Sequence, residues 1–297
     1  MEKKILYVTD LDGTLLRNDA SVSRFTTEAI RMLTAQGLLF SYATARSYVT
    51  ASKITAELPG NLPVIVYNGS FIVENGTGRK LLSNVFKKEE TAEILDFLIG
   101  QNSYPIVNAF FDGTEKFSYI EEKETPGVKR FLFDHRNDER KNPITSVKEL
   151  YTGEIFHITC IGEEEKLLPA YERFKESYPC VLYRDTYSGD LWLEFHPKGA
   201  TKASAVLALK EMLCCDAVVC FGDGKNDIPM FHTADACYAV SNAEAELKAI
   251  ATDVIGSNEG DGVAKWLLKH ANPSAGKNSN IERTISQKYC KNWKDMV

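Results

Sequence analysis

The stretch Ile5-Leu6-Tyr7-Val8-Thr9-Asp10-Leu11-Asp12-Gly13-Thr14 decides the fold. Its apolar run ends at Thr9-Asp10, which predicts a strand buried on both faces, as in a parallel sheet covered by helices. Two carboxylates follow at i and i+2 on a strand-to-loop turn, where they can face one point. Anions that close repel each other, so the pair needs a cation between its members or a raised pKa. A hard divalent ion such as Mg2+, which takes oxygen ligands and keeps waters, meets that need. Taken alone, Asp-Gly is an ordinary turn dipeptide, and a second signal has to decide.

Beyond this stretch, Ser23 is placed to cap a helix whose Ala29, Ile30 and Leu33 recur at helical spacing, and Gly37 stops it. Leu38 to Ala43 reads as a second strand, a helical stretch runs through Ala51 to Leu58, and Val64 to Tyr67 reads as a third strand. This β-α-β-α-β alternation predicts an α/β fold, a doubly wound, Rossmann-like parallel-sheet core.

The rhythm changes after Asn68-Gly69. A hairpin signal at Asn75-Gly76-Thr77-Gly78 is followed by a helix around Glu89 to Leu98 and a hairpin turning at Asp112-Gly113. Phe156 to Ile161, a helix near Glu164 to Glu176, and strands at Cys180 to Arg184 and Leu191 to Phe195 complete an α+β block. Alternation returns with a helix from Thr201 to Leu213, the strand Ala217 to Phe221, a helix after Asp227, and short strands near Tyr238 and Val254. The expected organisation is a discontinuous core over 1–83 and 196–271, an inserted α+β cap over 84–195, and a polar C-terminal extension over 272–297. The insertion, roughly 110 residues, is domain-sized.

A hydrophobic content of 44% and a charged content of 26% match an ordinary globular chain. The formal net charge of -6 gives no general attraction for nucleic acid. No stretch approaches the roughly 18 apolar residues of a membrane span, and Asp10 and Asp12 interrupt the N-terminal run, so a cytoplasmic protein with no membrane partner is expected. The 7 cysteines include no C-x-x-C pair, so neither a disulfide framework nor a Cys-rich zinc site is expected. The 5 histidines show neither H-E-x-x-H nor H-x-H spacing, and none is assigned to metal; His196 stands out only for lying near the domain junction.

The deciding second signal is Gly222-Asp223-Gly224-Lys225-Asn226-Asp227, again two carboxylates after a buried strand. Two acidic turns after two core strands can converge on one metal site. Together with Asp10-Leu11-Asp12-Gly13-Thr14, Thr44 in Ala43-Thr44-Ala45-Arg46, and Lys202 in Pro197-Lys198-Gly199-Ala200-Thr201-Lys202, these residues resemble the four ordered motifs of the haloacid dehalogenase (HAD) superfamily. The insertion between the second and third motifs is similar to the Cof-type phosphatases with an α/β (C2-type) cap. Tyr67-Asn68-Gly69, Leu193-Glu194-Phe195, Ser241-Asn242-Ala243 and Glu259-Gly260-Asp261-Gly262-Val263 add to the likeness, which spans about residues 1 to 270. Ser70 and Ala203 depart from it, standing where Ala and Gly are frequent.

The resemblance implies a Mg2+-dependent hydrolase of small phosphomonoesters, with sugar phosphates first and FMN or pyridoxal phosphate next. Asp10 would be the nucleophile that forms an aspartyl-phosphate, and Asp12 the acid-base group. Metal contacts would come from Asp10, Asp223, the backbone carbonyl of Asp12, and Asp227, which either completes the shell through water or orients Lys202. Leu11, Thr44, Ala45, Lys202 and Asn226 would bind phosphoryl oxygens, with Arg46, Asn68 and Gly69 on the substrate side. Lys198 competes with Lys202 for the lysine role, and spacing favours Lys202. The expected partner is a small phosphorylated metabolite met by a monomer or homodimer; a phosphomutase and a catalytically silent phosphometabolite-binding regulator are the rival readings.

Overall fold

The computed structural model describes residues 3–185 and 188–271; the extension expected over 272–297 lies outside the described residues. In chain order the elements are β1 (Ile5–Thr9), α1 (Arg24–Ala35), β2 (Leu39–Tyr42), α2 (Tyr48–Ile54), β3 (Val64–Val66), β4 (Phe71–Val73), β5 (Lys80–Ser83), α3 (Lys88–Gly100), β6 (Ile106–Phe111), β7 (Thr114–Ile120), α4 (Pro126–Asp134), β8 (Lys141–Ile144), β9 (Glu154–Gly162) and α5 (Glu164–Phe174). They continue with β10 (Cys180–Arg184), β11 (Leu191–Phe195), α6 (Lys202–Met212), β12 (Ala217–Gly222), α7 (Ile228–Thr233), β13 (Ala236–Val240), α8 (Ala245–Ile250), β14 (Asp253–Ile255) and α9 (Gly262–His270). The chain forms two compact units, one holding residues up to Ser83 and from Thr201 onward, the other Asn84–Ala200.

The first unit is built on a parallel sheet of order β14-β13-β12-β1-β2. Leu6, Val8, Val218 and Cys220 are fully buried, as are or nearly so Tyr7 and Phe221, whose side chains alternate with them, so helices cover both faces of the central strands. On one face Trp266 of α9 sits 4.2 Å from Tyr238, 5.2 Å from Phe221 and 6.5 Å from Tyr7, ring centre to ring centre. Ser23 caps α1 as the sequence predicts, its hydroxyl accepting the Thr26 amide at 3.0 Å. The second helix ends earlier than expected, at Ile54, because the Thr55 hydroxyl takes the Ala51 carbonyl at 2.9 Å and closes the turn.

The expected third parallel strand is a correction. β3 touches the main sheet through the single bridge Ala43↔Ile65 and otherwise pairs antiparallel with β4 in the separate sheet β3-β4-β5. The reversal is made at Tyr67, Asn68 and Gly69, with φ of 51°, 52° and 100°.

The inserted unit carries the sheet β10-β11-β9-β6-β7-β8, antiparallel except for the β7–β8 pair. On one face Ile158, Cys160, Leu193 and Phe195 pack with Ile94, Leu95 and Leu98 of α3 and with Leu167, Ala170 and Phe174 of α5. On the other, Ile106, Phe117 and Ile161 meet Val128 and Leu132 of α4. Neither α4 nor β8 is foreseen by the sequence reading. Thr125 caps α4 and Pro126 occupies its first turn, while Pro143 fits β8 because that strand is an edge.

The core boundary expected between 195 and 196 falls between 200 and 201 instead. His196 donates its amide to Pro179, and Lys198 lies 4.5 Å over the Tyr178 ring, which ties 196–200 to the inserted unit. No helix among the described residues is long and apolar enough to cross a membrane. The described cysteines are free, and Cys220 is fully buried in β12 as its apolar run predicts.

Candidate active site

The adjacent strands β1 and β12 lead to opposite directions of the strand order, so a crevice opens past their carboxyl ends, where ligands bind in folds of this kind. Asp10 follows β1 and donates its amide to Phe221 at 2.9 Å; Asp223 follows β12. The loop between Leu11 and Leu15 reverses at Gly13, φ 73°. A Cβ on Gly13 would lie 2.2 Å from Asp223 Oδ2, so a side chain there would displace that carboxylate. Thr14 donates its hydroxyl to Asp223 Oδ1 at 3.0 Å, which fixes the second carboxylate against the first loop.

Lys202 begins α6, after the Thr201 cap, and its side chain is fully buried. Its Nζ donates to Asp10 Oδ1 at 2.5 Å and to Asp227 Oδ1 at 2.7 Å. Asp227 Oδ2 in turn accepts the amides of Asp223 at 3.0 Å and Gly224 at 3.1 Å. Both oxygens of Asp227 are therefore occupied by protein donors. Gly69 lets the chain pass close to the start of α6: a Cβ on it would lie 2.1 Å from the Thr201 carbonyl oxygen. Lys198, the competing lysine, belongs to the inserted unit, where it stands 3.9 Å from Glu90.

Carboxylate oxygens of Asp10, Asp223 and Asp227 lie within 4.8 Å of one another. Ionised, they set three negative charges against one ammonium in a buried site. Burial pushes the Asp10 carboxyl well up, Lys202 opposes this, and Asp227 adds to it. Burial and the Asp227 charge raise Asp223 to about 6. Burial disfavours the Lys202 ammonium, but Asp10 and Asp227 more than offset it, so Lys202 stays protonated. The excess negative charge and the all-oxygen donor set fit a hard divalent cation held by Asp10 and Asp223.

Asp12 is not part of this cluster. Its side chain is half exposed and turns to Arg46, whose Nε and terminal NH2 donate to its two oxygens at 2.7 and 2.5 Å. Thr44 is fully buried at the end of β2, its hydroxyl oxygen accepting the Arg46 amide at 3.1 Å and its carbonyl the Asn68 amide at 2.9 Å. Asn226 donates its side-chain amide to Asn68 at 3.2 Å, joining the β12 loop to the Tyr67–Gly69 turn. Leu11 is fully buried and Ala45 exposed.

Two further residues take a place at the site, Asn242 from a stretch noted in the sequence and Asn258, which no motif marks. Asn242 donates to the Gly13 carbonyl at 2.7 Å, and Asn258 donates to the Leu16 carbonyl at 3.0 Å while its own amide bonds Asn242. They brace the Leu11–Leu15 loop from the C-terminal part of the chain.

A family model described as haloacid dehalogenase-like hydrolase matches residues 7–267. Among curated proteins, the chain is 27% identical over 278 residues to the 5-amino-6-(5-phospho-D-ribitylamino)uracil phosphatase YwtE of Bacillus subtilis, covering 87% of this chain and 95% of that protein. The Escherichia coli phosphatase YbjI, named for the same substrate, is 23% identical, with 90% and 97% covered. Among solved structures, TM0651 from Thermotoga maritima superposes with a TM-score of 0.74 at 23% identity, covering 91% of this chain and 98% of that one.

Proposed function

Because the chain belongs to the haloacid dehalogenase-like hydrolases, we propose that it is a Mg2+-dependent phosphatase of small phosphomonoesters that works through an aspartyl-phosphate on Asp10. The observation that carries this reading is Asp10 at the tip of β1, bonded to the buried Lys202 and grouped with Asp223 and Asp227. A carboxylate so placed is a nucleophile beside a fixed cation, and phosphoryl transfer depends mainly on positioning and charge neutralisation.

Asp10 attacks phosphorus, the new O–P bond forms as the ester O–P bond breaks, and Asp12 gives a proton to the leaving alkoxide. Asp12 then takes a proton from water, which attacks the acyl-phosphate, releases inorganic phosphate and restores Asp10. Lys202 neutralises phosphoryl oxygens, with Thr44, Asn226 and the amides of Leu11 and Ala45 as hydrogen-bond donors. Asp227, both oxygens engaged, positions Lys202 and the Asp223 loop. Asp10, Asp223 and the Asp12 carbonyl would hold Mg2+, which when bound neutralises charge on the phosphoryl group. Arg46 positions Asp12, which places it one step behind the substrate-side role expected for it.

The substrate we favour bears a phosphate on a primary alcohol of a sugar or sugar-alcohol chain. YwtE and YbjI are named for a phosphorylated ribityl chain, the same phosphoester chemistry that FMN presents. The test is phosphate release from sugar phosphates, ribityl phosphates, FMN and pyridoxal phosphate, with Mg2+ or EDTA, by wild type and Asp10→Asn. Metal-dependent release that vanishes in Asp10→Asn is expected. Release that survives the substitution, or none from any ester, overturns the reading; product isomerisation points to a mutase, and tight binding without turnover to a regulator.

A further inference from the structure

His157, Glu194 and His196 form a second cluster, confined to the inserted unit, and their ligand atoms lie within 4.8 Å of one another. They come together through the sheet. β9 and β11 pair antiparallel with Phe195 opposite Ile158, so one further step sets His196 beside His157. Glu194 lies two residues from His196 and points to the same face. The opposite face packs against α3 and α5 through Ile158, Leu193 and Phe195, which leaves these three polar groups together on the other side.

His196 is the member of the cluster left short of hydrogen bonds. His196 is 8% exposed, and its Nδ1 is buried with no hydrogen-bond partner among the described residues. His157 Nε2 stands 3.7 Å from Glu194 Oε2, beyond hydrogen-bond reach, and 3.3 Å from the Thr159 hydroxyl, whose hydrogen bond an ion would replace. The separation from Glu194 is close to the spacing of about 3.4 Å that two tetrahedral ligands on one zinc ion adopt. The other Glu194 oxygen accepts the Tyr183 hydroxyl at 3.1 Å, and the side-chain amide of Asn108 lies 3.4 Å from His157 Nδ1. Tyr183 thereby orients Glu194 from behind, and Asn108 would do the same for His157 with its amide turned so that Oδ1 accepts the Nδ1 proton.

We propose that His157, Glu194 and His196 bind one borderline divalent transition-metal ion of the Zn2+ class, clamping β9 to β11. Two imidazoles and a carboxylate form a donor set suited to such an ion, and a hard ion such as Mg2+ prefers oxygen alone. The two rings are nearly parallel, 4.7 Å apart at 16°, and one ligand atom from each of the three residues already lies within 4.8 Å of the others.

The test uses the full chain, stripped of metal and kept in excess Mg2+, titrated with Co2+ and followed by its visible ligand-field bands. One equivalent of Co2+ with intense, imidazole-type bands is expected, retained in the double variant Asp10→Asn/Asp223→Asn and displaced by Zn2+. His157→Ala, whose side chain is 17% exposed, should abolish the bands with the circular dichroism unchanged, and Asn108→Ala should weaken binding about 10-fold. His196→Gln, at a more buried position, serves as a second loss. Absence of the bands in wild type, their survival in His157→Ala, or their loss in the Asp10/Asp223 variant overturns the proposal.

Discussion

Arg46 grips Asp12 through both carboxylate oxygens, at 2.7 and 2.5 Å, on a side chain that is itself half exposed to solvent. An exposed pair of this kind contributes less than about 1 kcal/mol to folding. Its effect should therefore fall on catalysis. Arg46→Ala is expected to leave the midpoint of thermal unfolding nearly unchanged while lowering kcat, because Asp12 loses the guanidinium that holds its carboxylate in place. A large fall in unfolding temperature with an unchanged kcat would show that the pair is structural. Asp12→Asn should lower kcat by about 10²- to 10⁴-fold, the usual worth of a positioned acid-base group.

Lys202→Met leaves Asp10 and Asp227 buried without their ammonium. Removing one partner of such a pair costs roughly 3–5 kcal/mol. Urea unfolding of the metal-free protein at pH 5 and pH 8 should show the smaller deficit at pH 5, where the Asp10 carboxyl, pushed up by burial, takes up a proton. An equal deficit at both pH values would mean that the lysine acts through packing.

Asp10 and Asp223 have folded-state pKa values above the ordinary carboxylate value of 3.8, so the folded metal-free chain holds protons that the unfolded chain has released. Their cost is absent below about pH 4, grows with pH, and is complete for Asp223 once pH exceeds about 6, with Asp10 continuing above it. His196 acts in the opposite sense between about 3 and 6.5, where the unfolded chain binds the extra proton. Above pH 6.5 only the carboxylate trend remains among these three. Thermal unfolding in EDTA should thus weaken from pH 6.5 to pH 8.5, and Mg2+ should raise the midpoint more at the higher pH. A Mg2+ effect independent of pH would separate the ion from these carboxylates.

Gly13→Ala places a methyl 2.2 Å from Asp223 Oδ2 on a backbone at φ 73°. Positive φ in a non-glycine residue costs on the order of 1–3 kcal/mol, and Asp223 must also move. Loss of Mg2+-dependent phosphate release is expected alongside a moderate drop in denaturant midpoint. Full activity at saturating Mg2+ would show that Asp223 tolerates displacement.

The parts of this molecule that were readable in the sequence are those set by local pattern. β1 and β12 announce themselves as unbroken apolar runs because both their faces are buried, and the acidic turns after them mark the ligand edge of the sheet. β8 is hidden because Ile144 is its only buried residue and it contains Pro143. β3 reads as a core strand, and only the left-handed turn at Tyr67–Gly69 diverts it. The Asp12–Arg46 pair depends on side-chain torsions, which no spacing encodes. His157 and His196 escape any motif because sheet register, not sequence proximity, makes them neighbours.

The pairing of Ile5 with Ala217 in the central sheet has a consequence for biosynthesis. A ribosome must add more than two hundred residues after β1 emerges before β12 exists, a wait of roughly 10 to 40 s at ordinary elongation rates. The inserted unit, contiguous from Asn84 to Ala200, can condense during that interval. The first strand meanwhile has β2 on one side only, its other edge stays open until β12 arrives, and any nascent chain halted before Ala217 lacks both that strand and the Asp223 that follows it.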